Sequence, residues 1–280
     1  MIRLVATDMD GTLLDERSQV PPETYGLVRE LAEVGVGFCV CSGRAASFVR
    51  RLVEPIADCV DLVCANGTFV SAGGEVLARH PYDAGEVGRL AALAAARHPG
   101  FHLNAVGSDG REYVVDGAVT ESERAEWGWS ARRVLEGPPP EGVDMVACAL
   151  FCPADTDVLA AADELEAEMG DVFHFLALEK PVLDVVPRGV SKATGLQLVM
   201  EARGVAADEV VAYGDSMNDQ FLFDYAGHPT AVENAYDQIK ELAERVIASN
   251  VDHGVQRDMR RMLDDIRAGG DGLGGTGGLA

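Results

Sequence analysis

Positive charge is what this sequence lacks most. Its only lysines are Lys180, Lys192 and Lys240, and Lys and Arg together number 23 against 46 Asp and Glu. The formal net charge is −23. No basic stripe is available to neutralise nucleic-acid phosphates, so DNA and RNA are excluded as partners. The same charge repels anionic membranes, and a site for any anion must carry its own local cation. No uninterrupted apolar run approaches the roughly 20 residues of a membrane span. The chain enters an apolar strand at once, without a secretory leader, which predicts a cytoplasmic protein.

Paired cysteine motifs are missing too. Cys39, Cys41, Cys59, Cys64, Cys148 and Cys152 include no C-x-x-C pair, and most lie in apolar runs where free cysteine acts as a small hydrophobe. Gly35-Val36-Gly37 begins a dinucleotide fingerprint, but Val40 stands where its last glycine should be, and the run precedes a strand instead of following one. The Gly-rich C-terminus lacks the Lys-Ser/Thr of a phosphate-binding loop. No internal repeat occurs.

What is present is ample core material: 280 residues, 48% hydrophobic, enough for one or two domains. Ile2–Ala6 reads as a buried strand, Pro21–Val34 as a helix, Val36–Cys41 as a strand, Ala45–Val53 as a helix and Leu62–Ala65 as a strand. Thr68–Ala78 reads as a hairpin turning at Gly73-Gly74. Such alternation predicts a mainly parallel sheet covered by helices. From about Asp83 the pattern changes to a helix, a hairpin around Gly107–Gly110, a break at Pro138–Pro140, a strand at Val143–Phe151, a helix at Thr156–Met169 and two closing strands. Alternation resumes with a helix from Ser191 to Arg203 and a strand at Val210–Tyr213, then further helices to near Arg267. The expected class is α/β: a Rossmann-like parallel-sheet core (1–82 and 187–267), an inserted α+β cap domain (83–186) and a disordered Gly-rich tail (268–280).

Chemistry concentrates in four loops. Asp8-Met9-Asp10-Gly11-Thr12 places two carboxylates at the end of the first strand, where open α/β sheets collect their ligands. A polar turn gives a plainer reading of the same residues. A calcium loop fails, because its sixth and twelfth positions are Leu13 and Gln19. Ser42-Gly43-Arg44 follows the second strand, either as an anion site at a helix N-terminus or as a plain N-cap. Lys192 sits in the first turn of a helix, where the dipole disfavours a cation unless an anion is bound beside it. Gly214-Asp215-Ser216-Met217-Asn218-Asp219 again puts carboxylates after a strand. Hard cations want oxygen ligands, and a phosphoryl group wants positive charge and N–H donors. These loops offer both.

The four loops, in this order and spacing, resemble the four motifs of the haloacid dehalogenase superfamily phosphatases over about residues 1–267. The module between the second and third motifs is similar to the large α/β cap of the Cof-type branch, as are the runs Cys64–Gly67, Pro187–Lys192 and Glu233–Ala235. The resemblance implies that Asp8 is the nucleophile and Asp10 the general acid and base. It implies Mg²⁺ held by Asp8, Asp10 through its backbone carbonyl, and Asp215. Asp219 then holds metal-bound water or orients Lys192. Phosphate binding falls to Ser42, Lys192, Asn218 and the backbone N–H groups of Met9 and Gly43. Arg44 and the residues around Glu179 and Lys180 are candidates to contact the leaving group from a closing cap.

The function expected is hydrolysis of a small phosphorylated metabolite, a sugar phosphate or cofactor phosphate, by a monomer or weak homo-oligomer. Two alternatives stay open: a phosphomutase of the phosphomannomutase type, and a non-catalytic metabolite-binding regulator.

Overall fold

The structure, a computed structural model, describes residues 1–116, 119–126, 134–177 and 181–274. The chain divides into two compact units, one formed by Met1–Ala78 with Ser191–Ala280, the other by Arg79–Val190.

The first unit opens with β1 (Leu4–Thr7), α1 (Pro22–Glu33), β2 (Gly37–Cys41), α2 (Ala46–Leu52), β3 (Val60–Cys64), β4 (Phe69–Ala72) and β5 (Glu75–Arg79). Every residue of β1, β2 and β3 is buried, as befits parallel strands covered on both faces. Gly73 and Gly74 both have positive φ, the backbone that a two-residue hairpin turn requires.

The second unit contains α3 (Ala84–Arg97), β6 (His102–Gly107), β7 (Glu112–Val114), α4 (Glu121–Glu126), β8 (Val134–Glu136), β9 (Met145–Phe151), α5 (Val158–Met169), β10 (Phe173–Ala177) and β11 (Val182–Pro187). Its sheet runs β10-β11-β9-β6-β7-β8, antiparallel throughout except for the parallel β7–β8 pair. Leu90 and Ala94 of α3 and Leu165 of α5 share one core with Leu103, Leu150 and Leu183. Alternate strand residues therefore face the two helices.

The chain then returns to the first unit with α6 (Lys192–Arg203), β12 (Val210–Gly214), α7 (Gln220–Tyr225), β13 (His228–Val232), α8 (Asp237–Leu242), β14 (Arg245–Ile247) and α9 (Gly254–Arg267). The eight-stranded order is β14-β13-β12-β1-β2-β3-β4-β5, with β14 through β3 parallel and β3–β4 antiparallel. β13 and β14 depart from the helices expected after Tyr213. β14 is three residues long, and β13 carries His228 and Pro229, so neither shows the apolar run that marks a central strand.

The end of the chain also differs from expectation. The Ile2 N–H donates to the Asp271 carbonyl at 2.7 Å, and the Asp265 carboxylate accepts from Gly272 N at 2.8 Å. The stretch up to Gly274 is thus fastened to Ile2, just before β1, and to α9, while residues 275–280 lie outside the described residues. Among the described residues, no helix is long and apolar enough to cross a membrane.

Candidate active site

β12, β1, β2 and β3 are neighbours and parallel, so their C-terminal ends share one edge of the sheet. Asp8, Ser42, Ala65 and Asp215 each follow directly on one of these strands, and such edges are where α/β folds bind ligands.

The chain leaves β1 in one wide turn over Met9–Leu13, closed by Leu14 N donating to Met9 O at 2.9 Å. Gly11 sits within it at φ +76, and a Cβ there would strike the Asp215 carboxylate. Glycine is needed here on both counts. Thr12 Oγ1 donates to Asp215 Oδ1 at 2.8 Å. Asn234 Nδ2 donates to Gly11 O at 2.7 Å, Asn250 Nδ2 to Leu14 O at 2.8 Å and Gln256 Nε2 to Leu13 O at 3.1 Å. The first acidic loop is therefore held from three later parts of the chain.

Lys192 opens α6, whose start is fixed by reciprocal bonds: Ser191 Oγ accepts from Thr194 N at 3.1 Å and Thr194 Oγ1 from Ser191 N at 3.0 Å. The ammonium is almost wholly buried and donates to Asp8 Oδ1 at 2.6 Å and to Asp219 Oδ1 at 2.7 Å. The protein's own carboxylates thus answer the misfit between a cation and the helix dipole. Burial alone would lower the Lys192 pKa, but Asp219 and Asp8 outweigh it and hold the ammonium charged.

One cation does not balance the cluster. Asp8, Asp215 and Asp219 bring carboxylate oxygens within 4.8 Å of one another. Burial pushes the Asp8 carboxyl well above its usual range, and Asp219 and Asp215 push the same way against Lys192. With all three ionised, the carboxylates would exceed the one ammonium by two negative charges, and an oxygen donor set of that charge fits a hard divalent cation. Asp219 is the most committed of the three, since its Oδ2 accepts from Asp215 N at 3.1 Å and Ser216 N at 3.2 Å.

The remaining residues expected at the site are placed less uniformly. Ser42 is buried, but it is not the N-cap of α2, which begins at Ala46 after Ala45. Ser42 Oγ instead accepts from Arg44 N at 3.1 Å, closing a short turn that contains Gly43. Asn218 accepts from Ser216 Oγ at 2.8 Å and donates to Asn66 Oδ1 at 3.4 Å. Met9 is buried in the core. The Asp10 side chain stands outside the three-carboxylate cluster and is half exposed. It pairs with Arg44, whose Nε and Nη2 donate to its two oxygens at 2.7 and 2.5 Å. Arg44 is therefore committed to Asp10. Glu179 and Lys180 lie outside the described residues.

Sequence reasoning gave no role to Thr12, Asn66, Asn234, Asn250 or Gln256, although Asn66 and Asn234 fall in runs that resemble the Cof-type branch. Ala65 and Asn66 have φ of +48° and +53°, unusual for residues with a Cβ. Two backbone bonds hold this turn to the Ser42 loop: Ala65 N donates to Arg44 O at 2.8 Å and Asn66 N to Ser42 O at 3.0 Å.

The family model of haloacid dehalogenase-like hydrolases matches residues 5–259. The chain is 25% identical over 291 residues to the 5-amino-6-(5-phospho-D-ribitylamino)uracil phosphatase YwtE of Bacillus subtilis, covering 94% of this chain and 98% of that protein. It is 27% identical over 262 residues to a phosphoglycolate phosphatase of Methanothermobacter thermautotrophicus, covering 94% and 99%. The crystal structure of SMU.1108c from Streptococcus mutans has the same fold, with a TM-score of 0.84 at 20% identity over 94% of this chain and all of that one. The chain belongs to the haloacid dehalogenase-like hydrolase family and is an enzyme of its phosphatase branch.

Proposed function

We propose that this enzyme is a Mg²⁺-dependent phosphatase that hydrolyses a small phosphorylated metabolite through an aspartyl phosphate on Asp8. The observation that carries this reading is the buried Lys192 ammonium between Asp8 and Asp219, beside Asp215. A structural ion pair needs one carboxylate, and burying two on one lysine with a third beside them is costly without a function.

The residues divide the work as follows. An Asp8 oxygen attacks phosphorus, and the bond from phosphorus to the leaving oxygen breaks. Asp10 gives its proton to that oxygen, then takes one from the water that opens the aspartyl phosphate, releasing inorganic phosphate and restoring Asp8. Lys192, Ser42, Asn218 and the N–H groups of Met9 and Gly43 bind the phosphoryl oxygens, each charge-assisted bond contributing roughly 1.5–3 kcal/mol. Asp8 and Asp215, with the Asp10 carbonyl, would hold Mg²⁺, which screens charge between nucleophile and phosphoryl group when bound. Asp219, already bonded at both oxygens, orients Lys192.

The relatives named above act on a phosphorylated ribitylamino-uracil and on phosphoglycolate, and a further relative of Citrobacter koseri is an HMP-PP phosphatase. The test is phosphate release from a panel holding these three compounds and common sugar phosphates, with Mg²⁺ and with chelator. Metal-dependent release by wild type, abolished in Asp8→Asn, supports the reading. Substantial release by Asp8→Asn sinks the covalent route, and isomerisation of hexose phosphates without release would instead identify a mutase.

A further inference from the structure

Arg44 follows the second motif and has no part in the division of work above, yet its guanidinium forks onto both oxygens of Asp10. We propose that Arg44 is a positioning residue that fixes the Asp10 carboxyl where it can serve the leaving group. The proposal rests on the reading of Asp10 as the acid.

Three observations carry it. The pair is bidentate and side-on, a geometry that fixes the carboxyl plane as well as its position. Arginine, and not lysine, supplies such a fork. The base of the arm is rigid too: Arg44 N is held by Ser42 Oγ, and Arg44 O accepts from Ala65 N. A loop fastened to the end of β3 thus sets where the guanidinium stands, as accurate placement requires. Finally, Asp10 is kept apart from the other carboxylates. It lies two residues from Asp8 in a tight turn, yet Asp8, Asp215 and Asp219 cluster without it. Arg44, which directly follows Ser42 and Gly43 in the chain, holds this fourth carboxyl.

The consequence is selective for the leaving group. An alkyl phosphate departs as an alkoxide and needs a proton from Asp10, carried on one carboxyl oxygen released from the fork while the other stays on Arg44, whereas p-nitrophenyl phosphate releases a stabilised phenolate and needs it far less. The experiment measures kcat and KM of wild type, Arg44→Met, Arg44→Lys and Asp10→Asn on both esters, with thermal melting to verify folding. In Arg44→Met, kcat on the alkyl ester is expected to fall about 10²-fold, the scale of general acid catalysis. On the nitrophenyl ester it should fall much less, with KM little changed. Asp10→Asn should show the same selectivity, the double variant should lose little more than either single one, and Arg44→Lys should recover part of the loss.

Equal losses on the two esters, or a KM raised on both, would place Arg44 on the phosphoryl group and overturn the proposal. A kcat raised by Arg44→Met would make the pair inhibitory and overturn it equally. A wild type that releases phosphate from neither ester overturns the phosphatase reading itself, and this one with it. Should Arg44→Met fail to fold, Arg44→Lys decides by the same ratio of esters.

Discussion

Thr12 and Asp215 are 203 residues apart in sequence and joined by a 2.8 Å hydrogen bond from hydroxyl to carboxylate. That bond fixes the carboxylate of the last acidic loop against the turn of the first. Thr12 would not touch the cation, yet it sets where one of the cation's proposed ligands stands. Such partners typically contribute 10–100-fold to metal affinity or activity. Thr12→Val keeps the shape and removes the donor, so the Mg²⁺ concentration for half-maximal phosphate release should rise by about 10–100-fold. Gly11→Ala should have the larger effect, because its Cβ would displace Asp215 directly and the residue would be strained at φ +76. An unchanged Mg²⁺ titration in both variants would remove Asp215 from the proposed ligand set.

Lys192 balances carboxylates that cannot escape to water. Replacing it by methionine keeps most of the volume and leaves the buried Asp8 and Asp219 carboxylates without their cation, although Asp219 keeps its two backbone donors. Breaking a buried pair in this way costs about 3–5 kcal/mol. The loss should be greatest in chelator and partly restored by Mg²⁺, since the cation supplies the missing positive charge and binding stabilises the folded state. The measurement is the melting temperature of wild type and Lys192→Met with and without Mg²⁺. A smaller Mg²⁺ response in the variant than in wild type would contradict this account.

The acidic loops were legible in the sequence for a local reason. Asp8 and Asp215 follow apolar runs, and Gly11 and Gly214 mark backbone that must turn or approach closely, so a few consecutive residues carry the signal. Gly73-Gly74 announced its hairpin in the same way. What escaped depends on distant partners. Nothing near Arg44 says that its guanidinium reaches Asp10, and nothing near Thr12 points to Asp215. Lys192 was legible as an anomaly, but the sequence could not say that Asp8 and Asp219 resolve it, 184 and 27 residues away. Of the two readings of Ser42, the plain N-cap fails because the helix, expected from Ala45, starts at Ala46 with Ala45 before it. β13 and β14 escaped because short strands with polar residues resemble loops until the sheet edge pairs them.

Behind the site, Tyr213 of β12 donates to Asp258 Oδ2 at 2.8 Å, and Arg245 donates to both oxygens of Asp258 at 3.0 Å. Arg261 adds a bond at 2.7 Å. Burial alone would raise the Asp258 carboxyl, but Arg245, Arg261 and Tyr213 outweigh it and hold it below its ordinary value. A carboxyl depressed in the folded state stabilises above its unfolded pKa of about 3.9, and that stability is lost as pH falls through the lower folded value. Wild type should therefore lose stability below about pH 4 in part through Asp258. Asp258→Asn should be less stable by about 3–5 kcal/mol near neutral pH, since Arg245 is left unpaired. Its melting temperature should also vary less with pH below that point. Parallel melting curves against pH for the two proteins would exclude the network as a source of acid sensitivity.

Ala65 tests whether the turn after β3 stores strain. It is buried and left-handed at φ +48°. Truncating an ordinary buried alanine to glycine forfeits about 0.8 kcal/mol of methyl burial and about 0.4–1 kcal/mol through the freer unfolded chain. Here the left-handed backbone costs alanine about 1–2 kcal/mol, which glycine recovers. The terms nearly cancel, so Ala65→Gly should lie within about 1 kcal/mol of wild type in urea unfolding. Ala65→Val meets the opposite fate, because a β-branched residue is a steric outlier at positive φ. To relax, it must pull the turn from Arg44 O and Ser42 O, the two acceptors that hold the loop of the second motif. Its stability and its kcat should fall together, whereas Ala65→Gly should keep both. If glycine proves as damaging as valine, backbone strain is not what this position stores.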